Sequence, residues 1–464
     1  MLLLTLLSSS FFLLPSSLAH TQAGVILTTL YSFTDTSDGA IPIGGLVQGS
    51  DGYFYGKTSG TVFKISTNGV LTTLYTFTVE SGGYSPGGLV QGSDGNFYGT
   101  TEDGGTYGDG TVFQISTNGV FTNLYSFNGT DGANPQAGLV QGRDGYFYGT
   151  TSEGGDMNQV VFGAGTVFKI STNGELTTLY SFTGESDGYS PGGLVQGGDG
   201  NLYGTTFGMT RGVVETTSLG TVFKISTDGA LTTLYSFTGG NDGSYPEGAL
   251  ARDSDGNFYG TTQGGAGWPA SRVFKITPNG VETTLCVIPD DTMFPSPGQT
   301  QAGLVHGSDG NFYGATEYTL ISGHGPYGSN TLFQVSANGA YTSLYSVDFP
   351  YSGFLNTFSP VLLVQGSDGN FYGEAGNDGT NLYGSVFRLT IVPEFQAVTL
   401  TNSTLNLTWS TEAGATYQVQ YTSDLSSTNW ASLGSPSTAT GATLSTTDSV
   451  TNAPQRFYRL VLSP

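Results

Sequence analysis

The sequence predicts an all-β chain: a seven-bladed β-propeller closed by its own N-terminal strand, followed by a small β-sandwich. Three observations carry this expectation. One motif recurs seven times, each full copy holds four strand-like pieces, and the order of the pieces is permuted at the chain ends. Composition fits, because 73 of 464 residues are Gly and 13% are aromatic, which suits short apolar strands joined by tight turns.

The motif is Asp-Gly, then Asn or Tyr, an aromatic or Leu, and Tyr-Gly, with its Asp at 51, 94, 144, 199, 255, 309 and 368. Repeats of this length in strand-forming residues point to propeller blades, since helical arrays need Ala, Leu, Glu and Lys periodicity. In the second copy the pieces are "GGLVQG" (87–92), "NFYGTT" (96–101), "GTVFQIS" (110–116) and "VFTNLYSF" (120–127). Four strands make one blade. The stretch "SDGNFYGTT" invites a reading as a metal or catalytic loop. Gly, however, takes positive φ at little cost and Asp can bond the backbone two residues on, so a tight turn between the first two strands accounts for it.

The chain begins with a fourth piece, "ILTTLYSF" (26–33), and its last repeat stops after a third, "GSVFRLT" (384–390). Pairing one with the other removes two open edges and closes the ring. Ahead of the repeats, residues 1–19 read as a signal peptide, with an apolar run ending in Ser17-Leu18-Ala19. The propeller is expected over 24–392. Residues 393–464 turn Thr- and Ser-rich with alternating strands such as "TLNLTWS" (404–410), and Trp409 and Trp430 are its expected core anchors.

The pieces "GGLVQGSDGNFYGTT", "GTVFKISTNG" and "LTTLYSF" resemble the GloVer tandem-repeat family of exported bacterial proteins over about 24–392, and the C-terminal part resembles a fibronectin-III or immunoglobulin-like module. The resemblance implies a secreted, cell-surface or periplasmic repeat protein and brings no agreed activity. Copies five to seven depart from the pattern, with Arg252-Asp253 for Gln-Gly, Cys286 for a strand Tyr and His306 for Gln.

Net charge of −23 opposes a phosphate backbone, so no nucleic-acid partner is expected. Beyond the N-terminus no apolar stretch reaches the roughly 20 residues that span a bilayer. Cys286, the single cysteine, excludes an internal disulfide and a Cys-based zinc site. No cofactor and no metal site is expected. Acidic pairs such as Asp35/Asp38 and Glu185/Asp187 offer oxygens to calcium only as a remote alternative. "GYSPG" at 83–87 and 188–192 has the spacing of a hydrolase nucleophile elbow, yet a Pro follows each Ser and no helix follows the Pro, so these are turns. The Lys of "VFKIS" (Lys64, Lys169, Lys224, Lys275) exchanges with Gln and Arg between copies, which suits packing or hydrogen bonding more than catalysis. Cys286 reads as a small buried thiol.

Loop lengths are unequal. From the first-strand Leu to the Asp the count is five in all seven copies, whereas from the Gly of Tyr-Gly to the third strand it runs 6, 13, 18, 18, 13, 18 and 13. In an up-and-down blade the second-to-third loop and the blade-to-blade connection share a face, so one face carries short turns and the other long loops. Glu153, Asp156, Arg211, Trp268, Tyr318, His324 and Tyr327 stand in the long loops as candidate ligand-binding residues. Aromatics offer flat apolar surfaces and acids accept hydroxyl hydrogen bonds, a set that suits an extracellular carbohydrate or a protein partner. The expected function is therefore non-enzymatic binding, with no catalytic residues. The alternatives are a propeller lyase or hydrolase acting on an extracellular polymer, or a purely structural surface component. Streptogramin-inactivating lyases, a comparable seven-bladed family, rely on histidine and metal, and this chain offers only His306 and His324 within the repeats. Deleting residues 24–34 is expected to remove most of the cooperative stability; an unchanged thermal unfolding curve would overturn closure by the N-terminal strand.

Overall fold

The computed structural model describes residues 2–7, 10–15, 21–22, 25–78, 87–156, 163–208, 218–246, 248–263, 271–289, 298–299, 303–318, 329–348, 357–360, 362–377, 383–391, 395–410, 416–424, 429–439, 443–450 and 456–463. Among these residues every regular element is a strand and no helix is long and apolar enough to cross a membrane. Two compact units emerge, 29–367 with 371–387, and 1–28, 368–370 with 388–464.

The repeats form antiparallel sheets whose strands pair in chain order. In the second these are Val90–Gln91, Phe97–Thr101, Thr111–Ile115 and Phe121–Ser126, matching the four sequence pieces. Sequence reading missed one regular feature. The pairing of third and fourth strands slips at the same place in each of the first six sheets, for example between Val112 and Phe113. Such a bulge adds local twist. In the seventh sheet the order places Val25–Ser32 beside Ser385–Ile391, the position a fourth strand occupies in the others.

The Asp of each turn behaves as a brace. Asp94 Oδ1 accepts from Asn96 N–H at 3.1 Å, and Oδ2 accepts from the Tyr98 hydroxyl at 2.8 Å. Gly95 between them has φ +84°, in the left-handed region that Gly enters without a Cβ penalty. Partial burial favours the protonated acid, but the bonds from Asn96 and Tyr98 outweigh it and hold Asp94 below the usual carboxylate range. Burial and the bond to Asp94 push Tyr98 up to about 12.

Successive sheets pack through three repeating contacts. The second-strand Tyr stacks on the Phe that opens the next second strand: Tyr55 on Phe97 at 3.9 Å between centroids, Tyr98 on Phe147 at 4.0 Å, Tyr259 on Phe312 at 3.9 Å. The Phe that follows the fourth strand meets the third-strand Phe of the next sheet, as Phe127 does Phe168 at 5.2 Å. Ser50 and Ser93 each donate a backbone N–H to the next sheet's Gln, to Gln91 and Gln141, both at 2.9 Å. All three recur between the seventh and first repeats: Tyr372 with Phe54 at 4.1 Å, Phe33 with Phe63 at 5.3 Å, and Ser367 N–H with Gln48 Oε1 at 2.8 Å. At two places where first strands approach one another there is no room for a side chain. A Cβ on Gly88 would lie 2.5 Å from Gly44 O, and one on Gly303 2.5 Å from Ala249 O.

The second unit has a three-stranded sheet of Phe395–Thr401, Thr404–Ser410 and Thr443–Ser449. A second sheet contains Thr416–Thr422 and Phe457–Ser463, beside which Leu2–Leu7 and Ser10–Pro15 also pair. Leu405, Leu407 and Trp409 of the first share a buried cluster with Tyr417, Val419 and Tyr458 of the second. Trp409 is the expected anchor. Trp430 corrects that expectation, because it is half-buried with the Arg459 guanidinium 4.5 Å over its ring. Cys286 is likewise only partly buried, opposite Val273, and burial pushes its thiol up.

One pair of charges is fully buried inside the repeat unit. The residue after Tyr-Gly is Lys57, Thr100, Thr150, Thr205, Thr261, Ala315 and Glu374 in the seven copies. The Thr hydroxyls of 100 and 150 donate to the next sheet's Ala137 O at 3.1 Å and Gly192 O at 2.9 Å. Lys57 and Glu374 therefore stand only in the first and last copies. Lys57 Nζ donates to Thr100 O at 3.0 Å, and Glu374 Oε2 accepts from Gly45 N–H at 3.1 Å, while Oε1 has no hydrogen-bond partner. Burial dominates both titrations, with each charge partly supporting the other: Lys57 falls to about 7 and Glu374 rises to about 8.

The sign of the pH dependence follows. Glu374, raised in the folded state, contributes stability that is complete below about pH 4.3, its unfolded value, and lost as pH rises toward 8. Lys57, depressed, contributes stability that is complete above about pH 10.4 and lost as pH falls toward 7. Replacing Glu374 alone by Thr removes the charge that supports protonated Lys57 and should push the Lys57 titration further down. The double change Lys57→Thr, Glu374→Thr supplies the residue of the other copies and should cost less than either single change. In denaturant titrations the double variant should gain most on the wild type near pH 7 to 8 and least toward pH 5 and pH 10; a pH-independent difference would count against the buried pair.

Candidate functional site on the long-loop face

The long second-to-third loops and the connections between sheets do meet. Glu153, just past a second strand, exchanges backbone hydrogen bonds with Ala133 of the incoming connection at 2.8 and 3.1 Å, and around Pro191 and Thr206 the bonds run from Gly192 N–H to Thr205 O at 2.8 Å and from Phe207 N–H to Ser190 O at 3.1 Å. The short Asp-Gly turns lie at the opposite strand ends.

Of the candidate residues, two are fully described. Glu153 is half-buried and its Oε2 accepts from Asn134 Nδ2 at 3.2 Å; Asp156 is exposed. Tyr318 ends the strand Phe312–Tyr318 with its backbone opposite Gly298. Arg211, Trp268, His324 and Tyr327 lie outside the described residues. Acids in the connections have local work: Asp38 accepts from Thr34 N–H at 2.9 Å, Thr34 Oγ1 at 2.7 Å and the Tyr31 hydroxyl at 3.0 Å, and Asp187 repeats the pattern with Thr183 and Tyr180. Among the described residues no group of three or more His, Cys, Asp or Glu is arranged to hold a metal ion.

What sequence reading missed is a recurring strained residue. Ile41, Asn134, Ser190 and Tyr245 have φ of +54°, +54°, +51° and +54°, and each immediately precedes a Pro. The left-handed region is rare for any residue but Gly and Asn, most of all for a β-branched one, and costs on the order of 1–3 kcal/mol. Two backbone bonds impose it. The N–H of each donates to the preceding sheet's loop (Tyr383, Asp109, Ala164 and Leu219 O, all 2.8–3.0 Å), and the C=O of each accepts from the end of its own second strand (Ser59, Ser152, Phe207 and Gln263 N–H). The backbone staple is the same in all four connections; the side chain differs in all four. An X-Pro pair was legible at these places, but the usual bias of pre-proline residues toward extended backbone points away from this conformation.

Neighbouring side chains differ with them. Between the second and third sheets, Gln136 Nε2 donates to Glu102 Oε1 at 2.8 Å beside the Asn134 and Glu153 pair. Between the fourth and fifth, Phe207, at the position of Glu102, lies against Tyr245 with ring centroids 5.2 Å apart. Between the seventh and first, Ile41 and Tyr383 are both exposed.

Two of the departures in later copies fall on the other face. His306 and Asp253, replacing Gln and Gly, lie 3.4 Å apart between the fifth and sixth sheets, where other junctions have the Ser to Gln bond. A Cβ at the equivalent Gly92 would crowd Asp94 at 2.7 Å and Tyr98 at 2.8 Å. Accordingly Asp255 turns to Lys275 Nζ at 3.2 Å and the buried Tyr259 hydroxyl loses the aspartate its counterparts hold. Lys64 too has a structural place, donating to Thr117 O at 3.3 Å.

Comparison with known proteins adds the following. A streptogramin B lyase structure is similar to this chain with a TM-score of 0.55 and 16% identity, over 80% of this chain and 100% of that one, which shows a β-propeller-like fold and nothing of activity. A putative 6-phosphogluconolactonase from Bacteroides uniformis is similar at 0.45 and 13%, over 88% and 100%. The extracellular domain of a putative hybrid two-component system from B. thetaiotaomicron is similar at 0.49 and 11%, over 91% and 56%. No curated protein matches the sequence. The profile of the Gloeobacter/Verrucomicrobia repeat matches residues 18–162 and 159–348, most of the chain, and the protein belongs to that repeat family.

Proposed function

We propose that this is an exported bacterial repeat protein, non-enzymatic, that binds a carbohydrate or protein partner outside the cytoplasm through its long-loop face. In this reading 1–19 is a signal peptide and 24–392 a closed seven-bladed propeller. Residues 393–464 form a fibronectin-III or immunoglobulin-like sandwich. Closure is supported by the three junction contacts that recur between the seventh and first repeats, Tyr372 with Phe54, Phe33 with Phe63 and Ser367 with Gln48. The sandwich is supported by the shared cluster around Trp409.

The observation that carries the binding reading is the contrast between faces. Short turns repeat one hydrogen-bond pattern, whereas on the long-loop face one backbone staple displays Ile41, Asn134, Ser190 and Tyr245. Side chains that vary on a constant backbone, as at these four positions, suit recognition more than packing alone. The enzyme alternative loses one of its two histidines, since His306 serves a sheet junction on the short-turn face.

A screen of glycans, cell-wall polymers and surface proteins should give a saturable hit that is lost when 150–166 and 314–330 are shortened. No hit, together with self-assembly of the purified protein, would overturn binding in favour of a structural role.

A further inference from the structure

We infer that the four pre-proline residues and the side chains beside them form recognition positions for an uncharged carbohydrate chain laid across the sheet junctions of the long-loop face. This rests on the binding reading above and narrows it to one ligand class.

Ile41, Asn134, Ser190 and Tyr245 hold a left-handed backbone between the same two hydrogen bonds. Asn is at ease there and Gly more so, yet only one of the four is Asn and none is Gly. A fold that needed only the turn would use those residues, so the side chains have a reason to be kept against strain.

Phe207 and Tyr245 are each half-buried and together leave ring surface open beside a junction, which suits the apolar C–H faces of a sugar ring. At another junction the Gln136 amide and the Glu102 carboxylate are already bonded at 2.8 Å, and Asn134 and Glu153 at 3.2 Å. Each pair holds planar donors and acceptors in fixed orientation, with lone pairs of the carboxylates left over for hydroxyls. Pre-ordering them lowers the entropy lost on binding. The charge of the whole chain, −23, disfavours polyanions, so acidic polysaccharides and nucleic acids are poor occupants.

Affinity electrophoresis of the full chain in gels containing an uncharged β-glucan, xyloglucan, xylan or mannan, with alginate and heparin alongside, tests this. The variants are Tyr245→Asn, which installs the residue already tolerated at 134, and Gln136→Ala, which changes an exposed side chain. The wild type should be retarded by at least one uncharged polymer and by neither polyanion. Both variants should keep the wild-type melting temperature or, for Tyr245→Asn, exceed it, and should bind at least about tenfold more weakly. Retardation of the wild type with undiminished binding by both variants would overturn the recognition positions and leave the broader binding reading standing. A wild type retarded by no uncharged polymer, or only by the polyanions, would overturn the carbohydrate assignment itself, and a hit in the protein screen would then show that the long-loop face binds something else.

Discussion

The stack between the Tyr of one second strand and the Phe of the next is the contact on which the repeat depends. It requires both faces of that strand to be buried, and Phe97–Thr101 is buried at all five positions. Residues alternate across a strand, so Phe97 faces one neighbour and Tyr98 the other. The Gly that follows is then dictated: a Cβ at Gly99 would come within 2.8 Å of the Phe113 ring and 2.9 Å of Leu89. Phe, Tyr and Gly in succession are thus one packing solution. The Asp ahead of them gives the Tyr hydroxyl an acceptor for its proton at the end of a buried ring, while Gln114 Nε2 donates to the same hydroxyl at 2.7 Å.

This explains why the fold was legible. The repeat advertises its strands through apolar alternation and its turns through Asp-Gly, both local properties of consecutive residues. The permuted ends foretold that Val25–Ser32 would lie beside Ser385–Ile391, because an unpaired strand at each terminus has an obvious complement. The site was less legible. Long-loop residues such as Glu153 were singled out by residue type, but what a loop side chain can reach depends on the backbone bonds that fix it. Lys57 and Glu374 could have been found by aligning the copies, where Thr dominates their column; they were passed over because the strand looked purely structural. The strain at Ile41 could not be found, since hydrogen bonds to two separate sheets enforce it against local preference.

Differences among the copies sort by face. At the short turns, the changes at 252, 253 and 306 are coupled: a Gly becomes Asp253, its neighbour across the junction becomes His306, and Tyr259 and Asp255 readjust. One junction has been rebuilt with the same task. On the long-loop face the substitutions at 41, 134, 190 and 245 compensate for nothing in the backbone, which is unchanged. Coupled change preserves assembly, and uncoupled change diversifies a surface. Lys57 and Glu374 belong to a third kind, marking the first and last repeats with a chemistry absent from the middle. Seven near-identical units have many ways to pair out of order, and a buried polar group that finds its partner only in one particular neighbouring sheet penalises the others.

The glycines of the first strands carry a last implication. Because Gly88 and Gly303 come so close to the neighbouring strand that no Cβ fits, the contact at those two points is made by peptide groups. Mutation can alter a side chain but cannot alter an amide. Those contacts are therefore chemically fixed: their donors and acceptors follow from the backbone path. New specificity has to be written away from them.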